Sequence, residues 1–158
     1  MSLTRTSARD VVAQVVDPEI PVLTIEELGV LRDVVERDDG EVIVTITPTY
    51  SGCPAMRQIE DEISRALERA GFDDHRVETS FKPAWTTEWM TDEARRKLED
   101  FGIAPPVAIE DVRCPQCRHG ETRVLAQFGS TACKALMVCS SCGDALDYFT
   151  AHEMAEKK

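Results

Sequence analysis

The chain has 158 residues, 42% of them hydrophobic and 30% charged, ordinary values for a soluble globular protein with room for one domain and a small second one. Eighteen Lys and Arg stand against 29 Asp and Glu, a net charge of −11, and residues 1–104 hold 12 basic and 22 acidic side chains against 6 and 7 in residues 105–158. Such an acidic surface repels phosphate backbones and argues against nucleic acid, leaving solubility or a basic protein partner as its readings. No apolar run approaches the roughly 20 residues that span a bilayer. The start MSLTRTSARD lacks a secretory core, so a cytoplasmic location is expected.

Residues 4–16 are expected to form a helix, because Ser7 and Asp10 have capping spacing and Ala8, Val11, Val12, Val15 and Val16 share a face. Pro18 and Pro21 of DPEIP end it. Asp39-Gly40, between two β-branched runs, predicts a hairpin with a primed turn, and Val42, Val44 and Ile46 fall on one face of its second strand. From Cys53 to Ala70 the apolar spacing turns helical through Met56, Ile59, Ile63, Ala66, Leu67 and Ala70, with Gly71 as the stop. A third strand is expected over 76–82, then a helix capped at Thr91 and ending near Gly102. The order α-β-β-α-β-α specifies a small α+β fold, a three-stranded sheet with packed helices, over residues 1–104. The Pro-Pro pair in GIAPPVAIEDVR marks 102–113 as a linker, and residues 105–158 hold it and a second domain.

Six cysteines without a secretory signal point to metal or thiol chemistry. CPQC (Cys114, Cys117) and CSSC (Cys139, Cys142) each put two thiolates on one tight turn, and the strand-like run between them, bending at Gly129, gives a zinc ribbon. A redox CxxC and a rubredoxin-type iron site compete with structural zinc. His119 is a weaker alternative ligand, while His75 and His152 read as solvated. Cys133 reads as a small buried apolar residue before any function.

Cys53 stands apart, in TPTYSGCPAM. Pro54 suits the first helical position, which puts Cys53 at the N-cap, where free N–H groups and the helix dipole favour a thiolate. A poorly capping cysteine fits the spacing equally well. Asp17 on the DPE loop and the hydroxyls of Thr47, Thr49 and Ser51 offer a carboxylate and donors for the same pocket, a set suited to transient iron or zinc. Trp85 and Trp89 either pack the third long helix or anchor a partner.

Three strings, DPEIPVLTIEELGVLRDV, VTITPTYSGCPAM and FKPAWTTEWMTDEARRKLEDFGIAPP, resemble the PaaD-like family of phenylacetate-degradation proteins, and RCPQC, FGSTACKAL, CSSC and DYFTAH resemble that family's C-terminal zinc ribbon. Residues 1–104 also resemble the iron–sulfur assembly family that includes SufT. The resemblance implies a non-catalytic accessory of the phenylacetyl-CoA epoxidase system, whose oxygenase carries a di-iron centre and whose reductase carries a [2Fe–2S] cluster and flavin. It implies a part in maturing those centres, with Cys53 and Asp17 as the functional pair, partners among the epoxidase components and the iron–sulfur assembly machinery, structural zinc, and a transient iron or iron–sulfur cargo.

The residues agree that this chain is neither oxygenase nor reductase: no His has a Glu three residues before it, and no glycine fingerprint for a flavin or nicotinamide is present. A thiol enzyme would need a base for Cys53, and no histidine holds a recognisable base position. A purely structural docking role and, far behind, a nucleic-acid-binding ribbon are the competing functions.

Overall fold

The computed structural model describes residues 6–49, 55–106, 109–127 and 134–149. They fall into two compact units, Met1–Trp85 and Thr86–Lys158.

In the first unit, helix α1 (Ala8–Val12) begins at Ser7, whose side chain accepts from the Asp10 N–H while the Asp10 carboxylate accepts from the Ser7 N–H. The reciprocal box fixes the start, and the helix is shorter than the expected 4–16. Beyond Ala13 the chain turns and Val16 bridges Thr24 across a closed loop. Helix α2 (Ile25–Leu28) was not expected, although TIEELG carries its signature. Thr24 and Glu27 cap each other's backbone, and Gly29 ends the turn in the left-handed region at φ 82°.

Strands β1 (Leu31–Glu36) and β2 (Val42–Ile46) pair antiparallel, and β3 (His75–Thr79) pairs parallel to β2, giving the sheet order β1-β2-β3. The hairpin departs from the primed turn expected at Asp39-Gly40. Arg37 N–H donates to the Glu41 carbonyl and Gly40 N–H to the Arg37 carbonyl, and of the turn residues only Gly40 has positive φ, at 92°. That is a three-residue loop closed by a glycine bulge, in which Asp39 keeps an ordinary φ and its Oδ1 accepts from the Glu41 N–H.

Parallel β2 and β3 require a crossover, and helix α3 (Ala55–Arg69) provides it. Its buried stripe, Ala55, Ile59, Ile63 and Leu67, repeats every four residues and joins Val42, Val44 and Ile46 in the core. At the helix end Gly71 takes φ 89° and Phe72 N–H reaches back to the Leu67 carbonyl. His75, expected to be solvated, is half-buried with Nδ1 2.8 Å from the Phe72 carbonyl.

The second unit opens with a 3₁₀ turn at Thr87–Trp89 and helix α4 (Asp92–Asp100), capped as expected by the Thr91 side chain. A four-stranded sheet follows: β4 (Ile103–Ala104), β5 (Thr122–Ala126), β6 (Lys134–Cys139) and β7 (Ala145–Phe149), in the order β4-β7-β6-β5. β5, β6 and β7 form an antiparallel ribbon. The segment expected to be a linker contributes β4, which pairs parallel to β7, and it buries Ile103, Ala104 and Val112. Three apolar side chains at those positions have more to gain beneath the ribbon than in water. The expected boundary at 104/105 therefore lies inside the second unit.

Candidate metal centre and the cysteine loop

Two short stretches, CPQCRH and CSSCGD, fold alike. In the first, Cys114 N–H donates to the His119 carbonyl at 2.9 Å and Arg118 N–H to the Cys114 carbonyl at 2.8 Å. In the second, Cys139 N–H donates to the Asp144 carbonyl and Gly143 N–H to the Cys139 carbonyl, both at 2.9 Å. The residue after each second cysteine must adopt positive φ to close this turn: Gly143 does so at 78° and Arg118 at 66°. Arg118 is the one non-glycine with positive φ among the described residues. Its guanidinium pairs with Glu99 on α4.

These turns aim four sulfurs at one point. The Sγ atoms of Cys114, Cys117, Cys139 and Cys142 all lie within 4.8 Å of one another. Cys114 and Cys142 are 3.7 Å apart, and Cys117 and Cys139 are 3.5 Å apart. A tetrahedral ion with metal–sulfur bonds of about 2.3 Å has sulfur–sulfur edges of about 3.8 Å, so the constellation fits such an ion. Cys114 and Cys139 also belong to the small core of this unit, with Ala104, Val112, Met137 and Leu146, and Cys117 and Tyr148 pack against it.

The thiols differ in acidity before a metal is added. The Cys142 and Ser141 N–H groups, helped by contacts with Cys117 and Cys142, outweigh burial and lower the Cys139 thiol to about 6. At Cys142 the Asp144 N–H acts to lower the value, but local desolvation by the neighbouring turn and three neighbouring thiols prevail and push it up to about 12. Cys117 is raised as well: the His119 N–H works against the shift, and burial with Cys139 and Cys114 carries it. One thiol is thus shifted toward the thiolate and two toward the protonated form, and metal binding displaces the protons that remain. His119 contributes its carbonyl to a turn and is not among the clustered ligands.

The loop of the first unit is built differently. Asp17 is 7% exposed, and its Oδ1 accepts from the Glu19 N–H at 2.8 Å and the Ile20 N–H at 2.9 Å. Its own N–H donates to the Leu23 carbonyl, and Ile20 and Leu23 sink into the core. Asp17 therefore holds the DPE loop closed from within, a task that its spacing before Glu19 and Ile20 could have signalled. Thr47 is buried, with its N–H on the Val30 carbonyl, and Thr49 is half-buried beyond β2. Cys53 and Ser51 lie outside the described residues, as do Cys133, Gly129 and His152.

The two tryptophans part company at the unit boundary. Trp85 is 2% exposed and its indole N–H donates to the Leu28 carbonyl at 3.0 Å, so it packs inside the first unit and offers no surface anchor. Trp89, half-buried, closes the 3₁₀ turn of the second.

Relatives follow the same division. Residues 5–79 match the family described as iron–sulfur cluster assembly protein, and residues 106–150 match the PaaD zinc beta ribbon domain. A protein of Escherichia coli (strain K12) that is provisionally named as a component of 1,2-phenylacetyl-CoA epoxidase is 46% identical over 144 residues, 87% of each chain. The iron–sulfur protein maturation auxiliary factor YitW of Bacillus subtilis (strain 168) is 39% identical over 86 residues, 54% of this chain and 83% of its own. Among solved structures, a DUF59 domain from Bacillus anthracis has a TM-score of 0.54 at 26% identity, covering 60% of this chain and 90% of that one. A conserved hypothetical protein from Thermotoga maritima has a TM-score of 0.50 at 30% identity, covering 61% and 94%. An assembly-type α+β unit followed by a four-cysteine ribbon, matched over nearly nine-tenths of both chains, places this chain in the PaaD family of phenylacetyl-CoA epoxidase subunits.

Proposed function

We propose that the chain is a non-catalytic accessory factor of aerobic phenylacetate degradation that matures or assembles the iron centres, di-iron or [2Fe–2S], of the phenylacetyl-CoA epoxidase. One observation carries this reading: a region similar to iron–sulfur maturation factors and a ribbon of the epoxidase-associated family occur in a single chain. In it, Cys53 is the transient ligand for iron or a cluster, Thr49 and Ser51 supply hydroxyls, and Asp17, whose Oδ1 accepts from the Glu19 and Ile20 N–H groups, is the carboxylate of the functional pair. Zinc bound by Cys114, Cys117, Cys139 and Cys142 is structural: it shapes the ribbon, and with all four positions taken by thiolates it leaves none open for chemistry. The epoxidase oxygenase or reductase is the recipient and the iron–sulfur assembly machinery the donor, all in the cytoplasm. Among the described residues no helix is long and apolar enough to cross a membrane.

Cys53→Ala tests the reading. Epoxidase purified from a strain carrying this substitution is expected to lack iron or cluster by metal analysis, while the variant keeps its fold and one zinc per chain. Full metal content and activity in that epoxidase would instead leave a purely structural docking role, recognisable as a stoichiometric complex indifferent to Cys53.

A further inference from the structure

The four clustered sulfurs are not equally sheltered. Cys114 and Cys139 are buried and Cys117 is half-buried, whereas Cys142 is exposed. Its Sγ stands 3.7 Å from the Sγ of buried Cys114, across the gap between the two turns. A metal-bound thiolate remains a nucleophile, and solvent access then decides which thiolate meets an oxidant first.

We propose that Cys142 is an oxidation site through which a hydroperoxide opens the four-sulfur centre, with Cys114 as the resolving thiol. Cys142 Sγ attacks one oxygen of hydrogen peroxide, the O–O bond breaks, hydroxide leaves and the sulfur becomes a sulfenic acid. The Cys114 thiolate attacks that sulfur, the S–S bond forms, the S–O bond breaks and a second hydroxide leaves. Two electrons pass from the sulfur pair to the peroxide, which ends as two hydroxides that solvent protonates to water. Cys117 and Cys139 alone cannot complete a tetrahedral shell, so the ion departs with each disulfide formed. Because Cys114 lies in the core of the unit, the event reaches past the surface to the packing beneath β6 and β7. A dithiol reductant together with zinc reverses it.

The proposal rests on the zinc reading of this site and is independent of the iron-handling role of Cys53. Its test uses the full chain with Cys53→Ser and Cys133→Ser, which removes the other two thiols. Zinc content is measured first: absence of bound zinc would overturn the zinc reading itself. Zinc-loaded protein is then treated with hydrogen peroxide while a chromophoric chelator follows release and isotope-coded alkylation maps each cysteine. The expected result is Cys142 as the first of the four to lose alkylation, a Cys114–Cys142 disulfide, and one zinc released per disulfide. A different leading cysteine, a first disulfide between other partners, or zinc retained after Cys142 is oxidised would overturn the proposal. Cys142→His keeps a ligand at the position and is expected to slow peroxide-driven release at least tenfold. An unchanged rate in that variant also overturns it, and if the variant holds no zinc the cysteine mapping decides alone.

Discussion

The two units bury comparable secondary structure over very different interiors. In the first, Ile59, Ile63 and Leu67 of α3, Val42, Val44 and Ile46 of β2, and Ile20, Leu23, Ile25 and Leu28 are all buried. In the ribbon unit the cluster around the cysteines has six buried members, and two of them are Cys114 and Cys139. Apolar burial at about 25 cal/mol per Å² can hold the first unit by itself, whereas a core that small is in the range where a metal is needed. One unit is stabilised by side-chain packing. The other commits four cysteines to its own fold.

Metal removal should separate the units most sharply. A chelator, or Cys114→Ser, is expected to melt β5–β7 while α1–α3 and β1–β3 persist, because ligand binding energy is folding energy in such sites. Amide exchange resolved by unit checks this, and uniform protection without metal would contradict it. Acid acts in the same direction. Cys142 (about 12) and Cys117 (raised) hold protons in the metal-free state, so zinc uptake near neutral pH releases at least those two, and affinity falls as pH falls. Cys139, lowered to about 6, adds its own proton competition only below that value. Proton release on zinc addition measures this in an unbuffered titration.

A cavity in the first unit comes next in size. Ile63→Ala removes a fully buried side chain and is expected to cost about 2–5 kcal/mol, with zinc stoichiometry unchanged. Trp85 fluorescence in a Trp89→Phe background reports denaturant unfolding of that unit alone. The smallest effect compares the two cysteine turns. Gly143→Ala meets no atom within 4 Å of the new Cβ, so the penalty is that of positive φ, about 1–2 kcal/mol. Zinc retention against a competing chelator should fall about five- to thirtyfold. Arg118→Gly relieves the same strain at the matching position but gives up the Glu99 pair, and should change retention by less than about fivefold.

Much of this is legible in residue order. The capping pairs Ser7–Asp10 and Thr24–Glu27, the four-residue stripe of α3, the alternation of β2 and the two CxxC turns are local signals, decided within a few residues. The α2 signature is equally local, but four residues make no periodicity to expose it. The hairpin lies where its residues predict but with a different turn, since Asp39-Gly40 suits both a primed turn and a glycine bulge, and strand register chooses between them.

Other features depend on partners far along the chain. Ile103 and Ala104 become a strand because β7, more than forty residues on, offers an open edge. Trp85 turns inward because the Leu28 carbonyl is there to receive its N–H, so two tryptophans four residues apart end in different units. Asp17 offers a candidate carboxylate in the sequence, and the structure adds that its Oδ1 accepts from two N–H groups of its own loop. The amino-acid sequence by itself determined the fold class, the family and the four-sulfur ligand set, because capping, periodicity and ligand spacing are short-range properties. Only the tertiary structure decided where the units divide, which tryptophan stays at the surface and which of the four sulfurs meets solvent, because burial depends on what the rest of the chain places on top.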